Sequence, residues 1–333
     1  MAVQDMNNRY VAIGKEDSYG TTSSSSYFYG EVDDETIKHT YDLLTREDMS
    51  RYGSSKSVTG KEYMEGDINM ALINDNFTGM LLLALMGTDT VTGSGAPYSH
   101  TFTEAGAGHS LEMAVAREEK IHYYKGVVVE SFSVNAAINE YATVSASFMG
   151  KSEDSQGALS GLTAAFPDTK PALYFSDAKV FFNADSAASD AVKSISFDIT
   201  LNRDGDAACG LGSPTYVRAP PAQRREISGT IEFNRILFTG AGASNPTYTA
   251  LVSADGLEFS GSGVELKCQF GDESTADLVT FNFYKIRFEA PDANVSGRDS
   301  QTFSVPFVAL YDSVDNKMMD IVVKNDRAAA YSA

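Results

Sequence analysis

The sequence predicts a mainly β protein built from two tandem units with one helix each. Two observations carry that expectation: strand-length runs alternate apolar and polar side chains, and one strand-plus-helix unit occurs twice. The first copy begins at Lys61. In KEYMEGDINMALI, Met64, Gly66, Ile68 and Met70 fall on one face and Tyr63, Glu65, Asp67 and Asn69 on the other, the period of two of a half-buried strand. NDNFTGMLLLALMG follows as a helix. Asn74 or Asp75 is placed to cap its first turn, Phe77, Leu81, Leu82 and Leu85 form an apolar stripe, and Gly87 stands where a left-handed residue ends it. The second copy begins at Arg224, 163 residues on (224 − 61). RREISGTIEFNRILF sets Ile227, Gly229, Ile231 and Phe233 at the positions of Met64, Gly66, Ile68 and Met70, with Glu226, Ser228, Thr230 and Glu232 on the polar face. NPTYTALVSADG then offers an Asn245 cap, a proline in the first turn and Gly256 as the stop.

Composition sets the class. A chain of 333 residues with 43% hydrophobic and 11% aromatic content can bury two cores and is not a disordered protein. The apolar runs at 80–86 and 127–129 are too short to span a bilayer, and MAVQDMNNRY lacks the basic flank and apolar core of a secretory signal. Cys209 and Cys268 have no metal-ligand spacing and read as free thiols in a reducing compartment. The net charge of −19 opposes tight nucleic-acid binding, which requires concentrated Lys and Arg.

In chain order, residues 1–26, ending in TTSSSS, read as a flexible arm. Tyr27 to Tyr41 reads as the first strand, with Ile37, His39 and Tyr41 on one face. Residues 42–60 read as a long connection rich in charge, Ser and Gly, of a length that marks a functional or partner-ordered loop. After the first strand-helix unit come a Gly/Thr loop, PYSHTFT, SLEMAVARE, and a hairpin turning near 137–140. One face of that hairpin is apolar (Phe132, Val134, Val144, Ala146, Phe148) and the other small and polar (Ser131, Ser133, Ser145, Ser147). Residues 151–179 read as a linker. The second unit, 180–325, repeats the order: SISFDITLNRDGD, a Gly/Pro connection over 205–221, the strand-helix unit, GVELKCQF, FNFYKIRFEA and QTFSVPFVALYD, ending in KMMDIVVKN. Residues 326–333 read as a tail.

That order of elements resembles the major tail tube proteins of long-tailed bacteriophages and archaeal tailed viruses. SISFDITLNRDGD before a long loop, Tyr124-Lys125-Gly126-Val127-Val128 entering the late hairpin, and SVPFVALYDSVDNKMMDIVVKN carry the likeness, which spans 27–325. The resemblance implies a β-sandwich or split barrel with a flanking helix in each unit (27–150 and 180–325). It also implies a structural virion protein of the tail, assembled in the host cytoplasm, whose rings stack with their inner sheets around a lumen. For a two-unit chain it implies three chains per ring in pseudo-six-fold symmetry. Its implied partners are copies of itself and the tape measure, baseplate and tail terminator proteins, with viral DNA passing through without tight binding. The second reading is a soluble β-sandwich binding module, or a baseplate or fibre protein. Absence of tryptophan counts against sugar recognition, leaving Tyr123 and Tyr124 as the available stacking surfaces.

Chemistry-bearing motifs are sparse. His39, His100, His109 and His122 lack HxH or HExxH spacing, GSGAP (93–97) and GAGAS (240–244) lack a phosphate-loop context, and the acidic pairs at 33–34 and 118–119 read as solvated charges. No enzyme activity, metal or cofactor is expected. The channel-lining candidates are Glu65, Asp67, Asn69, Ser131, Ser133, Ser145, Ser147, Asp198, Ser228, Thr230 and Glu232, because carboxylates and small hydroxyls let DNA slide where Lys and Arg would hold it. Asp48, Arg51, Tyr52, Lys56, Tyr216 and Arg218 in the two long connections are the candidates for contact between rings.

Overall fold

The computed structural model describes residues 9–332 apart from 22–25, 51, 55, 107, 118–119, 160–161, 163–164, 167–169, 184–186, 235–263, 274–276 and 290–301. The chain is mainly β. Its first half contains β1 (Tyr10–Lys15), β2 (Phe28–Gly30), β3 (Val32–Glu35), β4 (Lys38–Arg46) and β5 (Lys56–Ala71). Then come α1 (Asn76–Met86), β6 (Gly87–Thr92), β7 (Tyr98–Glu104), β8 (Leu111–Arg117), β9 (Lys120–Ala137), β10 (Thr143–Gly150) and β11 (Ser152–Ala158). The second half contains β12 (Ala178–Phe182), β13 (Val192–Thr200), β14 (Glu226–Phe233), β15 (Val264–Gly271), β16 (Leu278–Phe288), β17 (Phe303–Ala309) and β18 (Met319–Asn325).

One antiparallel pairing scheme runs twice along the chain. In the first half β1 pairs with β8 and β8 with β9, whose other edge takes β11 along its front and β10 along its back. β10 then pairs with β5 and β5 with β4. In the second half β12, β15, β16, β18, β17, β14 and β13 hold those places in the same order. The repeat seen in the sequence coincides with this register: Gly66 faces Phe148 on β10, and Gly229 faces Phe307 on β17.

The back of β9 also pairs with β13, so β4–β5–β10–β9–β13–β14–β17 is one broad layer crossing both halves. Two further layers lie against it, β2–β1–β8–β9–β11 and β12–β15–β16–β18–β7–β6. The apolar face of the broad layer carries Ile68, Phe132, Val134, Phe148, Ile195, Phe197, Ile231 and Val305, and these join a single buried cluster. α1 sits inside that cluster. The sequence suggests one apolar stripe, yet ten of its eleven residues are buried, because it packs against β1, β2, β7, β9 and β18 rather than on a surface. Its ends are as expected: the Asp75 carboxylate accepts from Thr78 N at 2.8 Å, and Gly87 is left-handed at φ 99°.

Several expected connections are ordered structure. The arm contains β1, with Val11, Ala12 and Ile13 buried between β2 and β8. Tyr27 to Tyr41 divides into β2, β3 and the start of β4. The long connection at 42–60 is a projecting hairpin, in which β4 runs to Arg46 and β5 starts at Lys56. The linker region contains β11, and its Leu173 is held by backbone bonds to Leu72 and Ala142. The tail is packed, with Tyr331 buried against α1. The second expected helix, at 245–256, lies outside the described residues.

Candidate functional site

Pairing register puts all eleven channel candidates on one face of the broad layer. One row crosses five strands as Asn69, Ser145, Ser133, Asp198 and Ser228; the next runs Asp67, Ser147, Ser131, Thr200 and Glu226. Thr230 pairs with Ser196, Glu232 with Ser194, and Glu65 with Met149. Antiparallel partners project to the same side, so these small and acidic groups form a continuous polar surface backed by the buried core. A concavity of about 750 Å³ lies on it, lined among others by Asn69, Ser133, Ser145, Asp198, Ser228 and Thr230.

Its charge is less uniform than the sequence suggests. Glu65 pairs with Lys38 at 3.1 Å and accepts from Thr40, and Glu232 pairs with Lys193 at 3.5 Å. Lys38 stands on β4 directly across from Glu65, on the strand face opposite Ile37 and His39, and Lys193 precedes Ser194, the partner of Glu232 on β13. Asp67 and Asp198 have no lysine or arginine within ion-pair distance among the described residues; Asp198 accepts from the Thr200 hydroxyl at 2.8 Å. Glu130 stands beside them. Burial, and then the neighbouring charges of Asp67 and Glu65, push its carboxyl above the usual range.

The family model described as phage tail tube protein matches residues 6–309. The chain belongs to the phage tail tube protein family. No curated protein matches its sequence. The tail tube protein is therefore a structural component of the virion tail, a class that associates with itself and with other tail proteins. That membership speaks for a non-catalytic role. Among the described residues no group of three His, Cys, Asp or Glu is arranged to hold a metal, and no helix is long and apolar enough to cross a membrane.

The candidates for contact between rings separate into two groups. Asp48, Tyr52 and Lys56 lie at or beside the tip of the β4–β5 hairpin, where Tyr52 is fully exposed and Asp48 accepts from Ser50 N. Arg51 lies outside the described residues. Tyr216 and Arg218 instead fold onto their own subunit. Tyr216 is buried, stacked on Tyr63 with ring centroids 6.2 Å apart, and Arg218 donates to the Ala207 carbonyl at 2.6 and 2.9 Å. The 205–221 connection is anchored further by Lys61–Asp206 at 2.9 Å and by Glu62 N donating to Pro214 O. Leu43, Leu44, Met49 and Val58, which the sequence reading passed over, complete the hairpin together with Tyr41, and all five are more than half exposed. The Leu43-Leu44 pair in a charged run was the available signal, and a cluster of this kind on one projection marks an interaction site.

Proposed function

We propose that the tail tube protein builds stacked rings of three chains around a channel lined by the polar face of the broad layer. The supporting observation is that the pairing scheme occurs twice and its two copies are joined edge to edge through β9 and β13. Two equivalent units related by a rotation, with unlike edges meeting, form a head-to-tail contact that closes into a ring when repeated. On this reading residues 27–150 and 180–325, extended by β1 and β12, are duplicated units. Six units make the wall, and the core-facing side of the layer points away from the axis. Asp67, Asp198 and the serine rows then present few cations to passing DNA, so the genome moves through during ejection without being held.

The exposed apolar hairpin β4–β5 stacks one ring on the next, while tape measure, baseplate and terminator proteins occupy the channel and its ends. Assembly takes place in the host cytoplasm. Electron microscopy of the purified protein, with mass per unit length, tests the reading. Hollow tubes with three chains per ring support it, and a monomer at all concentrations or solid aggregates would reject it.

A further inference from the structure

The two halves meet along two seams. On the broad layer β9 pairs with β13, matching Asn135 to Ser196 and Ser133 to Asp198. On the other side β7, which belongs to the first half, pairs along β18 of the second half from Thr103↔Asp320 to Tyr98↔Asn325. The first half thus lends the β6–β7 hairpin to complete the second half's sheet. In the repeated pairing scheme the counterparts of β13 and β18 are β4 and β11. β4 pairs with β5 on one edge and β11 with β9 on one edge; the other edge of each has no strand partner among the described residues. β4 and β11 also touch each other, so one neighbour can engage both.

We infer that the free edge of β11 is a docking strand for a second copy of this chain, whose second half pairs along it as β7 pairs along β18. The inference rests on the ring reading and adds to it an outer seam, distinct from the seam along the channel wall. The chemistry is main-chain recognition: seven residues without proline present a row of N–H and C=O groups that an added strand satisfies. The edge is also guarded. The register shifts between Glu153 and Ser155; Glu153 is held by His122 at 3.0 Å and Gln156 at 2.9 Å, and Asp154 by Lys125 at 2.8 Å. A bulge and tethered charges at one end are what keep an exposed edge from pairing with arbitrary strands, and they leave Ser155 to Ala158 as the straight, receptive part.

Hydrogen–deuterium exchange on the full chain, as monomer and as assembled tube, tests this. In the monomer the outward amides of β11 exchange freely while those of β18 are protected. On assembly every second amide of β11 is expected to slow by at least about tenfold, the alternation of a paired strand rather than of general burial. Rings in which β11 exchanges as in the monomer overturn the inference and leave the ring reading standing. Failure to form rings overturns both.

Discussion

Replacing Gly79 by alanine is expected to destabilise the tail tube protein, although glycine in mid-helix ordinarily costs about 1 kcal/mol relative to alanine. Gly79 closes the first turn of α1, its N–H donating to the Asp75 carbonyl, and the Tyr331 ring rests on its backbone. A methyl there would stand 2.7 Å from Tyr331 Cε1 and closer still to the atoms beyond, so the ring must leave. Tyr331 is buried; its hydroxyl accepts from Asn325 Nδ2 at 3.0 Å and donates to Asn76 Oδ1 at 3.2 Å, and its backbone N donates to Asp89 at 2.7 Å. Arg327 and His100 cover it at 4.7 and 5.0 Å from the ring centre. Losing a buried aromatic side chain costs about 3–5 kcal/mol, so Tyr331→Ala should cost that much. Gly79→Ala should cost about 2–4 kcal/mol once the helix gain is subtracted. In the Tyr331→Ala background the obstruction is gone, and Gly79→Ala should stabilise by about 1 kcal/mol. Urea denaturation of the four proteins, as monomers, reads this cycle. A Gly79→Ala effect of the same sign in both backgrounds would refute the socket.

Three further outcomes follow from the geometry. Burial raises the Asp75 carboxyl from its ordinary 3.8 to about 6, so the folded chain holds that proton more tightly than the unfolded chain. Stability from this group is present below pH 4 and lost as pH rises to about 6, by up to about 3 kcal/mol. Asp75→Asn keeps an acceptor for Thr78 N, so the difference in denaturation midpoint between variant and wild type should widen across that window; a constant difference contradicts it. Asp67→Lys with Asp198→Lys should leave assembly intact and make tubes co-sediment with short duplex DNA, with binding that falls steeply with salt. Equal DNA retention by variant and wild type would argue against the channel surface. Leu43→Ser with Leu44→Ser, at sites about 60% exposed, should shift stability by no more than about 0.5 kcal/mol yet give short stacks or single rings in micrographs. Tubes of normal length would remove the hairpin from the stacking interface.

Where side chains alternate against a core, the fold was legible in the sequence. β5, β13 and β14 carry the period of two, and the Asp75 cap and Gly87 stop bound α1. The same alternation placed the channel candidates on one face, since register carries a polar set across a sheet. Strands without a buried face were hidden. β11 is SEDSQGA, an edge with no apolar period, and the outer part of the β4–β5 hairpin is exposed on both faces, so each read as a connection. β1 was missed because its short YVAIGK run stands in a polar arm and finds its partner β8 about a hundred residues away. Long-range packing was invisible for the same reason. Nothing near Tyr331 or Tyr216 announces that Gly79 or Tyr63 awaits it, and the lysines that neutralise Glu65 and Glu232 become neighbours only through β4 pairing and the bulge at the start of β13.

A side-chain-resolution cryo-EM reconstruction of the assembled tube should show three chains per ring, with the rows through Ser133, Ser145 and Asp198 facing the axis and Phe132, Val134 and Phe197 directed away from it. A lumen walled by any other surface, with those rows on the outside of the tube or buried between subunits, would contradict the channel reading.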